Sequence, residues 1–186
     1  MGNNKKRQTL ARTVLVALFA ALTSAGAFIA IPVGAIPIVL QNLFAMLSGL
    51  ILGPFLGGAA VLLYLAAGAI GAPVFAGGAG GFVHFATPSG GFLYGYFLAA
   101  VVAGLIASSP RAEKKTRRWR IVAAAVAGML AVYIPGVIQL KILYNMTWKA
   151  AFFAGCIPFL IGDAVKTTSA IIIAPRLRSL IADATH

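Results

Sequence analysis

Residues 121–140, IVAAAVAGMLAVYIPGVIQL, form the longest uncharged apolar stretch within a predicted helix and decide the fold class. A helix needs about 20 mostly apolar residues to cross the ~30 Å hydrocarbon layer of a bilayer. Strands of a membrane barrel instead alternate apolar and polar residues over segments of ~10 positions. This stretch does not alternate, so we predict a transmembrane helix.

Five other stretches have the same character, and proline and glycine separate several of them. The six predicted spans cover residues 13–31, 36–52, 55–70, 91–107, 121–140 and 150–174. Pro158 predicts a kink in the last one. We therefore expect an all-α integral membrane protein whose residues 1–186 form a single domain of six transmembrane helices.

Composition supports this class. Hydrophobic residues make up 61% of the chain and charged residues only 10%, whereas soluble domains carry about 25% charged residues. Disordered chains are poor in apolar residues, so disorder is excluded as well. The single cysteine, Cys156, excludes a disulfide within the chain.

The 15 basic and 3 acidic residues give a net charge of +12. If the N-terminus is cytoplasmic, the predicted cytoplasmic segments hold most of the basic residues: Lys5, Lys6, Arg7, Arg12, Arg111, Lys114, Lys115, Arg117, Arg118, Arg120, Arg176 and Arg178. The outer segments hold only Lys141 and Lys149. This asymmetry predicts that both termini are cytoplasmic. Anionic lipid headgroups account for the basic clusters, so nucleic acid is not expected as a partner.

Asp163 and Lys166 are the only ionisable acid and base inside a predicted span. Three residues apart on a helix, they share one face. Ionisable groups at membrane depth are costly and usually line a cavity or meet a partner. Side by side, they complement a ligand that carries N–H and C=O groups together, such as a urea or an amide. The alternatives are a mutually neutralised structural pair, or a Lys166 side chain that extends toward the cytoplasmic face.

Other polar residues in or near the spans could join this pair. They are Gln41, Asn42, Gln139, Tyr144 and Asn145. For each of them a hydrogen bond between helices is an equally good interpretation.

Residues 71–91, here called the Gly-rich loop, separate the third and fourth predicted spans. Glycines such as Gly77, Gly78 and Gly80 allow close approach of the backbone and leave N–H groups accessible to a ligand. We expect an ordered extracellular lid, and the alternative is a flexible linker. Its one histidine, His84, has no cysteine or second histidine nearby with which to bind a metal.

The first span carries Ala17 and Ala21 one turn apart, and small residues at this spacing let a second helix approach closely in lipid. This predicts a partner interface, with internal packing as the alternative.

Several motifs together resemble the BioY family of biotin transporters. They are PVGAIPIVLQ at residues 32–41, SGLILGP at 48–54, GAPVFAGGAG at 71–80, TPSGGFLYG at 87–95 and GDAVK at 162–166. The resemblance implies the substrate-binding S component of an energy-coupling factor (ECF) transporter in a prokaryotic cell membrane. It also implies a coupling transmembrane subunit and two ABC ATPases as partners, and biotin as the transported ligand, with no cofactor. Asp163 and Lys166 match the family's contacts to the ureido ring, and Ala17 and Ala21 match its motif for contacting the coupling subunit.

The chain departs from the family pattern in two ways. Gly34 and Ala35 stand where many relatives have a second proline pair, and no arginine lies in an outer segment to hold the valerate carboxylate of biotin. The backbone N–H groups of residues 77–81 and the side chains of Gln41, Tyr144 and Asn145 are candidates for that role.

We therefore predict a high-affinity biotin-binding subunit that depends on partner ATPases, because the chain has no nucleotide-binding motif. The alternative is a carrier that works alone, for a small vitamin with an amide or urea group, and uses Asp163 as a proton relay. An enzyme is not expected, because one intramembrane acid and two histidines do not form a recognisable catalytic group.

Overall fold

The computed structural model describes residues 2–31, 36–110 and 116–185, and the side chains of residues 5–182 within those ranges. Pro32, Gly34, Ala35, Arg111, Lys114 and Lys115 lie outside the described residues. The α-helices are α1 Gly2–Ala25, α2 Gln41–Leu52, α3 Pro54–Ala69, α4 Gly90–Ala107, α5 Arg118–Leu143, α6 Trp148–Gly155 and α7 Leu160–Thr185. Three short 3-10 helices cover Ala76–Gly78, Phe82–Ala86 and Ile157–Phe159, and a two-stranded antiparallel ribbon joins β1 Ala30–Ile31 to β2 Ile38–Val39.

The predicted all-α class is confirmed. Among the described residues, four helical segments are long and apolar enough to cross a membrane: Lys5–Ala25, Gly90–Ala107, Arg118–Leu143 and Trp148–Ala182. Two shorter apolar helices, Gln41–Leu52 and Pro54–Ala69, accompany them. The last segment is interrupted at Ile157–Phe159, where Pro158 was expected to kink the predicted sixth span.

The structure corrects the bounds of the first two predicted spans. The first helix ends at Ala25 rather than at residue 31, and α2 begins at Gln41 rather than at residue 36. Both intervening stretches are apolar, but their backbones pair with each other as β1 and β2. Gly26 lets the start of α2 approach the end of α1 closely, because a Cβ at this position would lie 2.9 Å from the backbone N of Gln41.

Helix α2 lies at the centre of the bundle and packs against α1, α3, α4, α5 and α7. Its 12 residues span only about 18 Å, less than the hydrocarbon thickness of a bilayer. Small residues allow close packing: a Cβ on Gly49 would lie 1.9 Å from the carbonyl oxygen of Ala100, and one on Gly57 would lie 2.6 Å from Gly49 Cα. These contacts bring α2 close to α3 and α4.

Two arginines donate hydrogen bonds at the end of the bundle where α2 and α4 finish. Arg178 is buried and donates to the carbonyl oxygens of Leu50, Ala107 and Ser108. Arg120 donates to the carbonyl oxygen of Ile106 over 2.7 Å. These two residues, expected only to orient the chain in the membrane, also satisfy carbonyl groups that have no partner within their own helices.

Candidate functional site

A cavity opens where the first residues of α2, α4 and α7 meet β2 and the Gly-rich loop. We call it the central cavity. Its lining residues are Ile36, Pro37, Val39, Gln41, Asn42, Ala76, His84, Ser89, Phe92, Leu93, Tyr96, Val132, Tyr133, Phe159, Asp163 and Lys166. It therefore combines apolar walls with a few convergent polar groups, which is typical of small-molecule sites.

Asp163 and Lys166 line this cavity from α7. Their side chains are each 7% exposed, and Lys166 Nζ lies 2.8 Å from Asp163 Oδ1. The pair faces the protein interior and not the lipid, which is what recognition of a polar ligand requires. The spacing of three residues places both groups on one face of α7, as predicted.

Asn42 joins the ion pair from the start of α2. Its Nδ2 donates to Asp163 Oδ1 over 2.9 Å, and its Oδ1 accepts from Lys166 Nζ over 2.9 Å. Tyr133 on α5 donates its hydroxyl to Asp163 Oδ2. Three helices thus hold the pair in place, which reduces the cost of keeping two charges inside the bundle.

Each member of the ion pair retains hydrogen-bonding capacity. Lys166 has three N–H donors and uses two of them, for Asp163 and Asn42. A carboxylate has about four acceptor positions, and Asp163 uses three of them, for Asn42, Lys166 and Tyr133. A ligand carbonyl and a ligand N–H can therefore both be bound here.

Gln41 is fully buried beside this network and lines the same cavity. Its Nε2 donates to the hydroxyl of Tyr64 over 2.6 Å and to the backbone carbonyl of Val74 over 3.1 Å. Its amide donors are therefore committed within the protein, which argues against the predicted role of Gln41 in donating to a carboxylate.

The Gly-rich loop is folded against the bundle. Phe75 is fully buried, stacks on His84 with 5.1 Å between ring centroids, and contacts Tyr64 edge to face. Gln139 on α5 donates to the carbonyl oxygens of Phe85 and Thr87. These contacts favour the ordered loop of the two interpretations.

His84 and Ser89 bring loop polar groups to the central cavity. His84 Nε2 and Ser89 Oγ are 3.2 Å apart, and Ser89 Oγ is also 3.0 Å from Thr87 Oγ1. Partial burial lowers the pKa of the His84 imidazole below its usual value. No feature of the linear sequence shows that the His84 ring stacks on Phe75, so the sequence alone predicts no role for His84.

Several predicted site residues lie elsewhere. Gly77, Gly78 and Gly80 do not line the cavity, and the N–H of Gly78 already donates to the carbonyl oxygen of Phe75. Gly77 and Gly78 both have φ of +73°, so they are needed for the turn between the paired residues Phe75 and Ala79. The glycines thus shape the loop, while Ala76 and His84 reach the cavity.

Tyr144 and Asn145 are exposed and are also absent from the cavity lining. Tyr144 is the C-cap of α5, and Asn145 follows with φ of +49°. Because α5 extends to Leu143 instead of ending at 140, this turn follows about three turns of helix after Val132 and Tyr133, the residues of α5 that line the cavity.

Ala17 and Ala21 are exposed on α1, so internal packing does not explain them. They share this surface with the exposed apolar side chains of Val14 and Leu18.

Ser89, Tyr96 and Tyr133 line the cavity although the sequence does not single them out. Both tyrosines occur inside apolar spans, where a tyrosine carries no sign of whether it faces lipid or a cavity.

The chain is similar over most of its length to one family of proteins. The model of the BioY family matches residues 3–183. The chain is 40% identical to the "Probable biotin transporter BioY" of Pyrococcus horikoshii, over 88% of this chain and 94% of that protein. It is 37% identical to the "Biotin transporter BioY" of Thermotoga maritima, over 88% of this chain and 93% of that protein.

A solved structure is similar over the whole fold. It is the crystal structure of the S-component for biotin from an ECF-type ABC transporter, with a TM-score of 0.81 and 29% sequence identity. The similarity covers 96% of this chain and 94% of that one.

Proposed function

This chain belongs to the BioY family, and from that premise we propose that it is the biotin-binding S component of an ECF-type ABC importer. The observation that carries the proposal is the buried Asp163–Lys166 pair, which lines the central cavity and keeps one donor and one acceptor position unused. The biotin transporters among its relatives and the similar biotin S-component structure support biotin as the ligand.

The chemistry of biotin fits this site. Its ureido ring carries one carbonyl and two N–H groups, so Lys166 donates to the carbonyl while Asp163 accepts from an N–H. Apolar lining residues such as Phe92, Leu93 and Phe159 cover the rest of the bicyclic ring. The acid tail extends toward the Gly-rich loop, where His84 and Ser89 supply the N–H and O–H donors that a carboxylate needs.

The Gly-rich loop acts as the outer lid in this proposal, and both termini are cytoplasmic in a multi-pass cell-membrane protein. A coupling transmembrane subunit binds α1 across Ala17 and Ala21, and two ABC ATPases supply the energy. The exposure of both alanines supports this interface.

Titration of the purified protein in detergent with biotin, desthiobiotin and lipoate tests the proposal. Biotin and desthiobiotin share the urea group, and both should bind, whereas lipoate has a similar acid tail without a urea and should not. Lipoate binding as tight as biotin binding would remove the role of the ion pair. Gradient-driven biotin uptake into vesicles that lack ATPases would instead favour the carrier that works alone.

A further inference from the structure

The oxygen of the Gln41 side chain has no hydrogen-bond partner among the described residues. Gln41 is 0% exposed, and its Oε1 is the one buried side-chain polar atom without a partner in that part of the chain. Buried polar atoms are nearly always satisfied, and an exception calls for an explanation such as an absent ligand or water. Gln41 lines the central cavity, so a bound ligand can supply the partner.

The orientation of the amide follows from its neighbours. The carbonyl oxygen of Val74 can only accept a hydrogen bond, and it lies 3.1 Å from Gln41 Nε2. Rotating the amide by 180° would bring two acceptors together, so Nε2 faces Val74 and Oε1 is the free atom. The group that Gln41 offers a ligand is therefore an acceptor.

An inventory of the remaining groups matches a urea. Lys166 keeps one unused N–H, Asp163 keeps one unused acceptor position, and Gln41 keeps its Oε1. The hydroxyl of Tyr96 can donate or accept and so does not discriminate, while Tyr133 already donates its one proton to Asp163. Lys166 thus offers a donor for one ligand carbonyl, and Asp163 and Gln41 offer acceptors for two ligand N–H groups.

We propose that Gln41 Oε1 accepts a hydrogen bond from the second ureido N–H of the ligand, opposite the N–H bound by Asp163. This inference rests on the proposed function, because it takes the ligand to be a cyclic urea. Gln41 also holds the Val74 carbonyl of the Gly-rich loop, so the same side chain contacts both the head group and the lid.

The test combines ligand analogues with one variant and a matched control. The ligands are biotin and its two cyclic carbamate analogues, in which one or the other ring N–H is replaced by oxygen. The variant is Gln41→Met, which removes the acceptor and the loop contact together. The control is Gln139→Met, which removes hydrogen bonds to loop carbonyls of Phe85 and Thr87 from a residue outside the cavity lining.

The unchanged protein should bind each carbamate at least 10-fold more weakly than biotin, because each places an oxygen against an acceptor. Gln41→Met should weaken biotin binding by about 10- to 100-fold. For one of the two carbamates, the affinity of Gln41→Met should equal that of the unchanged protein. Gln139→Met should still bind both carbamates at least 10-fold more weakly than biotin.

Three outcomes would overturn the inference. One is binding of either carbamate by the unchanged protein as tightly as biotin, a measurement that does not depend on the folding of a variant. The others are biotin affinity of Gln41→Met within twofold of normal, and an equal loss in Gln139→Met. Failure of the unchanged protein to bind biotin at all would instead overturn the proposed function.

Discussion

At the residue scale, the Asp163 carboxylate accepts from three different helices: from Asn42 on α2, Tyr133 on α5 and Lys166 on its own helix. Leucine at the two charged positions would suit the apolar interior of the bundle better, so this arrangement is costly unless a ligand uses it. The carboxylate is the group on which the network converges.

Asp163→Asn should weaken biotin binding by about 10- to 100-fold, because it replaces a charged acceptor and leaves Lys166 without a counterion. Thermal unfolding should also begin at a lower temperature. Isothermal titration in detergent measures the affinity. Ser169→Ala is the control, since Ser169 is half-buried on the same helix and its hydroxyl donates to the carbonyl oxygen of Val165. Unchanged affinity in Asp163→Asn would contradict the assignment.

His84 predicts a pH dependence of stability. Burial lowers its pKa in the folded protein, so the unfolded chain binds the proton more readily. The stability associated with neutral His84 is fully present above the usual histidine pKa of about 6.5 and is lost as the pH falls below it.

Unfolding temperatures measured in detergent at pH 7.5 and pH 5.5 check this expectation. The drop on acidification should be smaller in His84→Phe, which keeps a ring to stack on Phe75. An equal drop in both proteins would assign the effect to another group.

At the scale of the elements, the Gly-rich loop depends on one glycine of α3. A Cβ on Gly68 would lie 2.1 Å from Cζ of Phe75, so any larger residue displaces the ring that anchors the loop. Phe75 also contacts His84, Phe85 and Tyr64, and so its displacement would disturb the whole loop.

Gly68→Ala should lower the stability by about 1–3 kcal/mol, as expected for overpacking, and should speed the release of biotin. Gly58→Ala on the same helix is the control, because its Cβ would meet only side-chain atoms of Val101 and Phe97, at 3.3 and 3.4 Å. Stopped-flow measurement of biotin dissociation compares the two variants. Equal dissociation rates would show that the position of Phe75 does not control release.

The elements also show where hydropathy misleads. Residues 26–31 and 36–40 are apolar enough to extend their helices, yet they form a turn and a small ribbon because their backbones pair with each other. That pairing makes α2 short and places Gln41 and Asn42 at the cavity instead of one turn inside a longer helix.

At the scale of the whole molecule, Arg178 joins three parts of the chain. It donates to Leu50 at the end of α2, to Ala107 and Ser108 at the end of α4, and to Thr116 just before α5. Because Arg178 and Asp163 belong to the same helix, α7 links the cavity to the far end of the bundle.

Arg178→Met should reduce stability by about 3 kcal/mol, because it leaves several carbonyl oxygens without their donor. Arg176→Met, two residues earlier and exposed, should change it little. Thermal unfolding of both variants in the same detergent distinguishes the loss of the Arg178 hydrogen bonds from a general effect of removing positive charge. Similar unfolding temperatures for the two variants would contradict a stabilising role for the Arg178 hydrogen bonds.

The exposed surface of α1 predicts an effect on assembly. The double variant Ala17→Trp, Ala21→Trp should stop copurification with the coupling subunit, because bulky side chains keep the helices apart. Its biotin affinity should stay within twofold of normal. Val126→Trp, on an exposed position of α5, is the control and should still copurify. Retained assembly of the double variant would place the interface elsewhere.

The sequence by itself determined the all-α membrane class, the location of the helices to within a few residues for α3 and α4, and the pairing of Asp163 with Lys166. These properties depend on residues close together in the chain: hydropathy selects what enters a bilayer, and helical periodicity brings positions three apart onto one face. The family resemblance also rested on short local motifs.

Only the tertiary structure decided which polar groups meet. Asn42 and Tyr133 reach Asp163 from 121 and 30 residues away, and Tyr144 and Asn145 lie outside the cavity although they are polar and follow the C-terminal end of α5. The physical reason is that a hydrogen bond depends on distance and direction between atoms that packing brings together, and the order of residues along the chain does not encode either quantity directly.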